Sequence, residues 1–375
     1  MKIMQLSAHF LPNVGGVETH LWDLVKSLAK RNFEVFVLTY RPLTTKAKWK
    51  IYENGDGCEI LRIPWIPDLF YRLIHLPAME FIYLLPGLFI ATPVVLLINN
   101  SDVIHAHGLV AGFVGVFWGK VFKRRVVIST HSVYSFPKTG IYRKFATWIF
   151  RNASFCLGLS KQAAEEIRSL GITPRKVDNF IYWIDLEKFK IPKSKVKIRK
   201  ELEWDDEFVV LFVGRLVSEK GVIELLESVK NWEENISLKI IGSGPLEELV
   251  KETASKCNNV EFIGVIDQDK LPLYYSGSDI LVVPSVSEEG FGRVILESLA
   301  CGTPVIGAKQ GAIPEAMDES VGKLIDVSAS NIYEAVWYFY QNRDELNKLA
   351  RCCRPFAERR YSEKNVEKII KAYQG

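Results

Sequence analysis

Short apolar runs alternate with amphipathic helical patterns along nearly the whole chain, and this alternation restricts the possible folds more than any other feature. Neighbouring parallel strands need a crossover between them, usually a helix, so the alternation predicts βαβ units with sheets buried on both faces. The pattern occurs twice, on either side of a polar and lysine-rich stretch at residues 185–206. We therefore predict an α/β protein with two Rossmann-like domains.

The predicted strands fall into two series. The first contains Ile3–Ala8, Glu34–Tyr40, Cys58–Ile63, Val103–Ala106, Val126–Thr130 and Ser154–Leu159, and the second contains Phe208–Val213, Leu238–Ile241, Val260–Ile263, Ile280–Val283 and Pro304–Gly307. A length of 375 residues also favours two domains. We place the N-terminal domain at residues 1–187 and the C-terminal domain at residues 188–375, and the last helix, about 356–375, could pack back on the N-terminal domain. Ligands of such folds bind beyond the carboxyl ends of the strands, so we expect the domains to face each other across a cleft.

The cysteines and the amino terminus indicate in which cellular compartment the protein is found. The six cysteines show no C-x-x-C spacing and no histidine cluster accompanies them, so the sequence predicts neither a zinc site nor a disulfide framework. The first residues lead directly into a predicted strand, without the basic and apolar regions of a secretion signal. We expect a reducing, cytoplasmic setting.

Charge is distributed unevenly, with a net +8 over residues 1–187 and −4 over the remainder. Between Asp102 and Glu165 there is no acidic residue, but nine basic residues alternate there with aromatic ones. Basic residues with tryptophan and tyrosine suit an anionic lipid surface, and single-stranded nucleic acid would also fit. A solvated basic face over an aromatic core is the plainer alternative.

One apolar segment, Leu76–Ile98, is long enough to be considered as a membrane span, since its only charge is Glu80. Pro77, Pro86 and Pro93 disfavour a straight membrane helix, because proline in a helix interior costs about 3 kcal/mol. The segment also lies between two predicted strands of the α/β pattern. We predict a buried or interfacial helix.

Two glutamates eight positions apart, Glu289 and Glu297, enclose a turn with two glycines and the start of a helix. The helical pattern of Val294–Ala300 predicts a helix that begins beside Gly292. The first N–H groups of a helix lack intrahelical partners and carry the positive end of its dipole, so a diphosphate can bind there. The two carboxylates can then accept hydroxyl groups of a sugar and of a ribose. Two solvated or capping glutamates are the alternative.

Other loops with glycine also follow predicted strands. Gly15 and Gly16 precede an amphipathic helix, Arg215 and Lys220 share the loop that ends at a glycine, and Gly242 begins a third loop. None of them matches the dinucleotide-binding G-x-G-x-x-G pattern or a P-loop. An arginine and a lysine on one loop suit a diphosphate, because the guanidinium is a planar fork and the ammonium a compact charge. A solvated loop is the alternative for each loop taken alone.

Two histidines, His105 and His107, end a predicted strand of the first series and lie on one face of it by alternation. His107 is beside Gly108 at the carboxyl end, so it is the candidate for reaching a ligand, whereas His105 is the candidate for a packed core histidine. No acidic residue nearby completes a metal triad, so we predict no metal site.

Together, in order and spacing, these motifs resemble the large family of retaining glycosyltransferases with the GT-B fold, often called family 4 (glycosyl transferases group 1). The resemblance covers nearly the whole chain and includes Cys301–Ile306 and Gly311–Glu315 after the E-x7-E block. It implies a hexosyltransferase that moves a sugar from a nucleotide-diphosphate sugar, such as a UDP-sugar, to an acceptor hydroxyl with retention of anomeric configuration. It also implies that no metal or other cofactor takes part.

The resemblance further implies roles for individual residues. Arg215 and Lys220 would bind the donor diphosphate, Glu297 the ribose and Glu289 the sugar, while His107 would contact the sugar near the reacting carbon. The implied catalytic set is His107, Arg215, Lys220 and Glu289, and the implied donor-binding set is Gly15, Gly16, Arg215, Lys220, Gly242, Glu289, Gly290, Phe291, Gly292, Arg293, Val294 and Glu297.

The chain departs from the family pattern in two places. Where the family commonly has Pro-Asn-Gly-Val-Asp, residues Ile181–Asp185 read Ile-Tyr-Trp-Ile-Asp, so hinge or acceptor contacts there can differ. Where the family often has a glycine pair before the late Pro-Glu, this chain has Gly311 and Ala312, which is a milder change.

Within the family, the segments Phe10–His20 and His105–Gly108 are most similar to the GlcNAc transferases that begin glycosylphosphatidylinositol anchors and to related lipid-linked sugar transferases. We therefore expect a peripheral enzyme at the cytoplasmic face of the membrane, with a lipid-linked or polyol-phosphate acceptor and an anionic membrane as partners. A soluble transferase that makes a polysaccharide, disaccharide or small glycoside is the enzyme alternative. A nucleotide-sugar-binding module without turnover is the alternative of another class, and nucleic acid is not expected as a partner.

Overall fold

The computed structural model describes residues 1–13, 15–66, 77–190, 194–204 and 207–375. Val14 of the predicted glycine turn, Leu76 of the apolar segment and residues 191–193 and 205–206 of the polar stretch lie outside the described residues. The chain packs as two units. Met1–Tyr182 and Glu363–Gly375 form the first unit, and Trp183–Ser362 forms the second.

The first unit contains an eight-stranded sheet in the order β3-β4-β2-β1-β5-β6-β7-β8. Its strands are β1 (Lys2–Ser7), β2 (Glu34–Tyr40), β3 (Tyr52–Gly55), β4 (Cys58–Ile63), β5 (Val103–His107), β6 (Arg125–Thr130), β7 (Phe155–Gly158) and β8 (Val177–Asn179). All neighbours pair in parallel except β3 and β4. The helices are α1 (Gly16–Ala29), α2 (Pro77–Asn99), α3 (Gly108–Val121), α4 (Ile141–Asn152) and α5 (Lys161–Ser169), with a 3₁₀ turn at Pro174–Lys176.

The second unit contains a six-stranded, fully parallel sheet in the order β11-β10-β9-β12-β13-β14. Its strands are β9 (Phe208–Val213), β10 (Ile236–Ile241), β11 (Val260–Gly264), β12 (Ile280–Val283), β13 (Val305–Ala308) and β14 (Gly322–Ile325). The helices are α6 (Lys195–Glu201), α7 (Val222–Val229), α8 (Glu247–Lys256), α9 (Leu271–Gly277), α10 (Arg293–Ala300), α11 (Ile313–Ala316), α12 (Ala329–Gln341) and α13 (Arg343–Arg360), with a 3₁₀ turn at Ser218–Lys220. A 3₁₀ turn at Glu363–Asn365 then leads into α14 (Val366–Gln374), which belongs to the first unit.

All eleven predicted strands are present, with ends that shift by at most two residues, and the prediction of two Rossmann-like parallel sheets is confirmed. The sequence pattern did not reveal β3, β8 or β14. The four residues of β3 lie largely exposed at the sheet edge, where no apolar alternation is needed, and β8 and β14 have only three and four residues.

Helix α6 occupies part of the polar and lysine-rich stretch between the two series of predicted strands. Ile198 is fully buried, and both Lys195 and Arg199 pair with the carboxylate of Asp279, at 2.7 and 2.6 Å. Two positive charges of this stretch therefore fasten a helix of the second unit.

Helix α2 is the predicted apolar segment, and it continues through Pro86 and Pro93. Its inner side packs in the core of the first unit, where the backbone N–H of Leu88 donates to the hydroxyl of Tyr40 at 3.0 Å. By length and composition alone Phe81–Asn99 could cross a membrane, but 33% of that stretch is buried within the protein. A helix that packs on one side agrees with the predicted buried or interfacial segment.

The terminal helix α14 fastens to the first unit through side chains and backbone. Ile369 is fully buried, the hydroxyl of Tyr373 lies 2.7 Å from His105 Nδ1, and Arg125 donates to the carbonyl oxygen of Ala372 at 2.9 Å. At the preceding turn, Glu363 accepts hydrogen bonds from Ser27 and Arg31 of the first unit.

We expect Ile369→Ala to destabilise the first unit by about 2–4 kcal/mol, because the substitution leaves a cavity between α14 and the sheet. Amide hydrogen exchange should accelerate in β5 and β6 and remain unchanged in β9 and β12. Glu367→Ala, at an exposed position of the same helix, is the matched control and should have little effect. Equal acceleration in both units would contradict this assignment of α14.

Candidate active site

The turn between β12 and α10 has the shape that the E-x7-E spacing predicts. Helix α10 begins at Arg293, and Gly292 before it has a φ of +60°, a left-handed conformation that favours glycine. On the other side of the turn, Gly311 has a φ of +55°, and a Cβ there would lie 2.4 Å from the carbonyl oxygen of Glu289. The next residue, Ala312, donates its N–H to that same oxygen at 3.0 Å. The loop after β13 therefore supports the backbone of Glu289 directly.

The carboxylate of Glu289 is ion-paired with Lys220 and accepts a hydrogen bond from the hydroxyl of Ser285 at 2.8 Å. Burial alone would raise the pKa of Glu289, but Lys220, Ser285 and the nearby Arg215 outweigh it and hold the pKa below its ordinary value. Glu289, which the resemblance assigns to the sugar, thus contacts Lys220, which it assigns to the diphosphate. The Glu289 carboxylate is ionised at neutral pH.

Lys220 reaches this position because its loop packs tightly on the end of β12. Gly221 has a φ of +69°, and a Cβ on it would lie 1.8 Å from the carbonyl oxygen of Pro284. The N–H of Val286 donates to the carbonyl oxygen of Glu219 at 3.1 Å. The side chain of Arg215, on the same loop, is exposed and available to a ligand.

Gly242 fits the same arrangement from the third loop. Its φ is +147°, and a Cβ would lie 1.8 Å from the carbonyl oxygen of Gly214, so only glycine allows this approach. The N–H of Leu216 donates to the carbonyl oxygen of Ser243 at 2.9 Å. The loops after β9, β10 and β12 therefore meet at the carboxyl edge of the second sheet.

Glu297 is almost fully buried, with 4% of its surface exposed. It accepts hydrogen bonds from Arg293 Nε at 3.0 Å and from the hydroxyl of Tyr275 at 2.9 Å. Arg293 also lies within 3.5 Å of the carbonyl oxygen of Trp183. Burial, reinforced by Glu297, raises the pKa of Tyr275 well above its ordinary value, so the hydroxyl remains a donor.

Tyr275 was missed by the sequence reasoning, because it lies 22 residues before Glu297 and no local pattern connects the two. Arg293, by contrast, is four residues before Glu297 on one helix face, a spacing that does indicate an ion pair. The Arg293 residue is buried, with 9% of its surface exposed, and its guanidinium donates to the Glu297 carboxylate. Phe291, also in the predicted donor set, is buried, whereas Gly290 and Val294, the second residue of α10, are half-buried.

In the first unit, the two glycines of the predicted turn lie at the start of α1. Gly16 begins the helix, and the carboxylate of Glu18 lies so close to Gly15 that a Cβ there would be 2.3 Å from it. The fully buried Asn13, which sequence reasoning did not single out, accepts hydrogen bonds from the N–H groups of Leu43 and Thr44, both at 3.0 Å. Asn13 thereby fastens this turn to the loop after β2.

The three histidines at the ends of β5 and β6 adjoin one another. His107 Nε2 lies 2.7 Å from Gln5 Oε1, and His107 Nδ1 lies 2.9 Å from His131 Nε2. His131 Nδ1 in turn lies 2.9 Å from the hydroxyl of Tyr182. His105 shares the strand face with His107, as alternation predicts, and is fully buried. His107 keeps 7% exposure, so it is far more enclosed than a side chain open to a cleft.

Both halves of the chain match known family models. Residues 14–187 match the family described as Glycosyltransferase Family 4, and residues 194–354 match the family described as Glycosyl transferases group 1. The two matched ranges cover nearly the whole chain and leave residues 188–193 between them.

Several known proteins are similar to this chain in sequence over most of their length. An uncharacterized glycosyltransferase of Methanocaldococcus jannaschii is 28% identical over 92% of this chain and 87% of its own. A phosphatidylinositol N-acetylglucosaminyltransferase chain of Arabidopsis thaliana is 24% identical over 90% of this chain and 73% of its own. A GDP-mannose-dependent alpha-(1-6)-phosphatidylinositol monomannoside mannosyltransferase of Mycolicibacterium smegmatis is 26% identical over 84% and 83%.

Solved structures match the fold along the whole chain. Sucrose-phosphate synthase from Thermosynechococcus elongatus superposes with a TM-score of 0.84 at 23% identity, over 100% of this chain and 98% of the other. Anabaena HepE, in a complex with UDP and glucose, superposes with a TM-score of 0.78 at 21% identity, over 99% and 98%. The predicted GT-B fold is thereby confirmed.

We expect Gly221→Ala to destabilise the second unit by several kcal/mol, since both the positive φ and the contact with Pro284 oppose a side chain there. Gly264→Ala is the matched control. Gly264 also has a positive φ, of +83°, but a Cβ on it meets nothing within 4 Å. It should cost only about 1 kcal/mol of backbone strain. Denaturant unfolding of both variants measures the difference, and equal costs would contradict the tight packing of the Lys220 loop.

Proposed function

Since this chain belongs to the group 1 glycosyl transferases with a Family 4 amino-terminal half, we propose that it moves a sugar from a nucleotide-diphosphate sugar to an acceptor hydroxyl with retention of configuration. One observation carries the proposal: the ionised Glu289 adjoins Lys220 and Arg215 at the amino end of α10. Opposite charges placed at a helix N-terminus suit a ligand that has both phosphates and sugar hydroxyls.

In the proposed reaction, Arg215 and Lys220 hold the donor diphosphate and Glu289 accepts hydroxyl groups of the sugar. The bond from the anomeric carbon to the diphosphate oxygen breaks while the acceptor oxygen attacks from the same face. The acceptor proton passes to the departing phosphate oxygen, and the nucleoside diphosphate leaves. Arg215 and Lys220 stabilise the negative charge that develops on it, and preorganised charges of this kind often contribute the largest catalytic effect.

We propose that the reaction needs no divalent cation. The two cations of the Arg215–Lys220 loop can supply the positive charge that a metal would otherwise bring to a diphosphate.

For the nucleotide, both uridine and guanosine donors are supported. The Anabaena protein binds UDP and glucose in its crystal structure, and the Mycolicibacterium relative is named for GDP-mannose. Glu297 is proposed to accept the ribose hydroxyls, since its carboxylate is already oriented by Arg293 and Tyr275.

For the acceptor, we propose a lipid-linked or polyol-phosphate molecule at the cytoplasmic face of the membrane. The Arabidopsis and Mycolicibacterium relatives are both named for phosphatidylinositol-based acceptors. The basic and aromatic composition between Asp102 and Glu165 of the first unit supports the same acceptor class.

We expect Lys220→Ala to lower kcat/KM for the donor about a hundredfold, because one stabilising charge on the leaving diphosphate is lost. Lys251→Ala removes an exposed cation of the same unit that pairs with Glu247 and Glu248, and it should retain wild-type activity. Initial rates of donor consumption, with UDP- and GDP-sugars in turn, measure the effect.

The same assay tests whether the reaction is independent of metal, whether it retains configuration and which acceptor it uses. Rates should persist in a metal chelator, and the NMR coupling of the product's anomeric proton should match that of the donor. Wild-type rates in Lys220→Ala would refute the site, and an inverted product would refute the proposed mechanism. Turnover with water-soluble acceptors but not with lipid-linked ones would favour a soluble transferase.

A further inference from the structure

Along about five turns of α2, every exposed side chain that the structure describes is apolar. Ile82, Ile90, Val94, Leu97 and Ile98 are exposed by 63, 70, 53, 72 and 80%. Their spacing of three, four and eight positions places them on one helix face. An exposed apolar face of this length is unusual for a soluble protein and indicates a surface that meets something other than water.

The inner side of the same helix is locked into the protein core. Leu84, Leu88 and Leu96 are at most 2% exposed. A Cβ on Gly87 would lie 2.5 Å from the hydroxyl of Tyr40, so the helix backbone touches the residue that ends β2. A single membrane-spanning helix is surrounded by lipid on all sides. Helix α2 would meet that condition only if its inner side left the core of the first unit.

The apolar face continues onto α3. The rings of Phe89 and Phe117 are 5.0 Å apart, and Trp118 donates its indole N–H to the carbonyl oxygen of Phe89 at 2.9 Å. Phe117 and Val121 are themselves 38 and 58% exposed. The two helices therefore form one surface, which we call the α2–α3 face.

Positive charge borders the α2–α3 face. Arg124 donates to the side chain of Asn100, directly after α2, and the ammonium of Lys120 lies 5.4 Å from the centre of the Trp148 ring. No acidic residue occurs between Asp102 and Glu165. A second copy of this chain would bring its own positive border against this one, whereas anionic headgroups above an apolar layer complement both parts of the surface.

We propose that the α2–α3 face inserts into the surface of an anionic lipid bilayer, with α2 lying in the membrane plane and its inner side remaining in the protein core. The proposal deepens the proposed function and rests on it for its purpose, since a bilayer-bound first unit would meet lipid-linked acceptors. Binding to vesicles can nevertheless be measured without donor or turnover.

Flotation of the full chain with phosphatidylcholine vesicles, with or without roughly one-third phosphatidylglycerol, tests the proposal. Wild-type protein should float with the anionic vesicles and be released by alkaline carbonate. Ile90→Glu/Leu97→Glu should reduce the bound fraction about tenfold or more. Val196→Glu/Val265→Glu is the matched control, because it places the same charges on exposed aliphatic positions of the second unit.

Wild-type protein that stays with the aqueous fraction would overturn the proposal, as would resistance to carbonate, which indicates a spanning helix. Self-association of the wild type that Ile90→Glu/Leu97→Glu abolishes, without vesicle binding, would assign the face to a second copy. Donor hydrolysis in solution should be unchanged by Ile90→Glu/Leu97→Glu. If the wild-type protein binds vesicles but transfers no sugar, the proposed function is refuted and the membrane inference stands.

A second inference rests on the hydrogen-bond chain that includes His107. Burial, with contributions from the neighbouring histidines, holds the pKa of His107 well below its ordinary value, and burial lowers the pKa of His131 to about 3. Both rings are therefore neutral, and each has one N–H group. Since Gln5 Oε1 can only accept, the N–H of His107 is on Nε2.

The other proton positions in this hydrogen-bond chain follow from the N–H on Nε2 of His107. His107 Nδ1 accepts from the Nε2–H of His131, and His131 Nδ1 then accepts from the hydroxyl of Tyr182. Tyr182 is buried, and it occupies the place at which the family commonly has asparagine. A sugar oxygen that displaces Gln5 from His107 would therefore meet a hydrogen-bond donor.

We infer that Tyr182 is a positioning residue that acts through His131 to hold His107 as the Nε2–H tautomer. The inference rests on the sugar contact that the family resemblance implies for His107. Its structural part, the tautomer, can be tested without turnover.

Nitrogen-15 NMR of histidine-labelled protein tests the tautomer. In the wild type, the Nδ1 signals of His107 and His131 should have the chemical shift of an acceptor nitrogen. Tyr182→Phe should mix the tautomers of both rings and lower kcat about tenfold with little change in donor KM. Tyr40→Phe is the control, because it removes a buried hydroxyl of the same unit that lies on a different hydrogen-bond chain.

A proton on Nδ1 of His107 in the wild type would overturn the inference. Lower activity in Tyr182→Phe with unchanged nitrogen shifts would also overturn it, because the loss would then be structural. A failure of the proposed function would appear separately, as an inactive wild type with the expected nitrogen shifts.

Discussion

The site of the second unit depends on keeping one carboxylate ionised where little water reaches it. Only 16% of the Glu289 side chain is exposed, and a buried charge is costly unless it is paired and hydrogen-bonded. Lys220 and Ser285 provide those partners. Bringing Lys220 there requires its loop to lie against Pro284, which only glycine at position 221 allows, and the backbone of Glu289 rests on Gly311 in the same way. The glycines at positions 221 and 311 thus support one ion pair.

The fold could be read from the sequence because parallel strands buried on both faces must be continuously apolar. Strand β9, for example, is composed entirely of valine, leucine and phenylalanine, and its bounds were predicted without error. Elements that lie at a sheet edge or that depend on charge lacked this signal. Strand β3 is largely exposed, and α6 appears polar in sequence although Asp279, some eighty residues later, anchors it.

The candidate site was predictable where its residues share a loop or a helix turn. The turn around Glu289 and the helix beginning near Gly292 follow from local spacing, whereas the pairing of Glu289 with Lys220 spans 69 residues and that of Glu297 with Tyr275 spans 22. His107 shows the limit most clearly. Alternation placed it correctly beside His105, but its partners Gln5 and His131, and Tyr182 behind His131, come from three distant segments. Those partners decide the chemistry that the ring can offer.

The position of α14 bears on how the protein is made. The ribosome completes all of the second unit before it synthesises Val366–Gln374, yet Tyr373 contacts His105 and Gln5 on the two central strands of the first sheet. The amino-terminal unit, although translated first, therefore reaches its finished packing last. Until α14 is made, the side chains that it covers on the first sheet, including Gln5 and His105, stay uncovered, and an incompletely packed sheet of this kind is prone to aggregate.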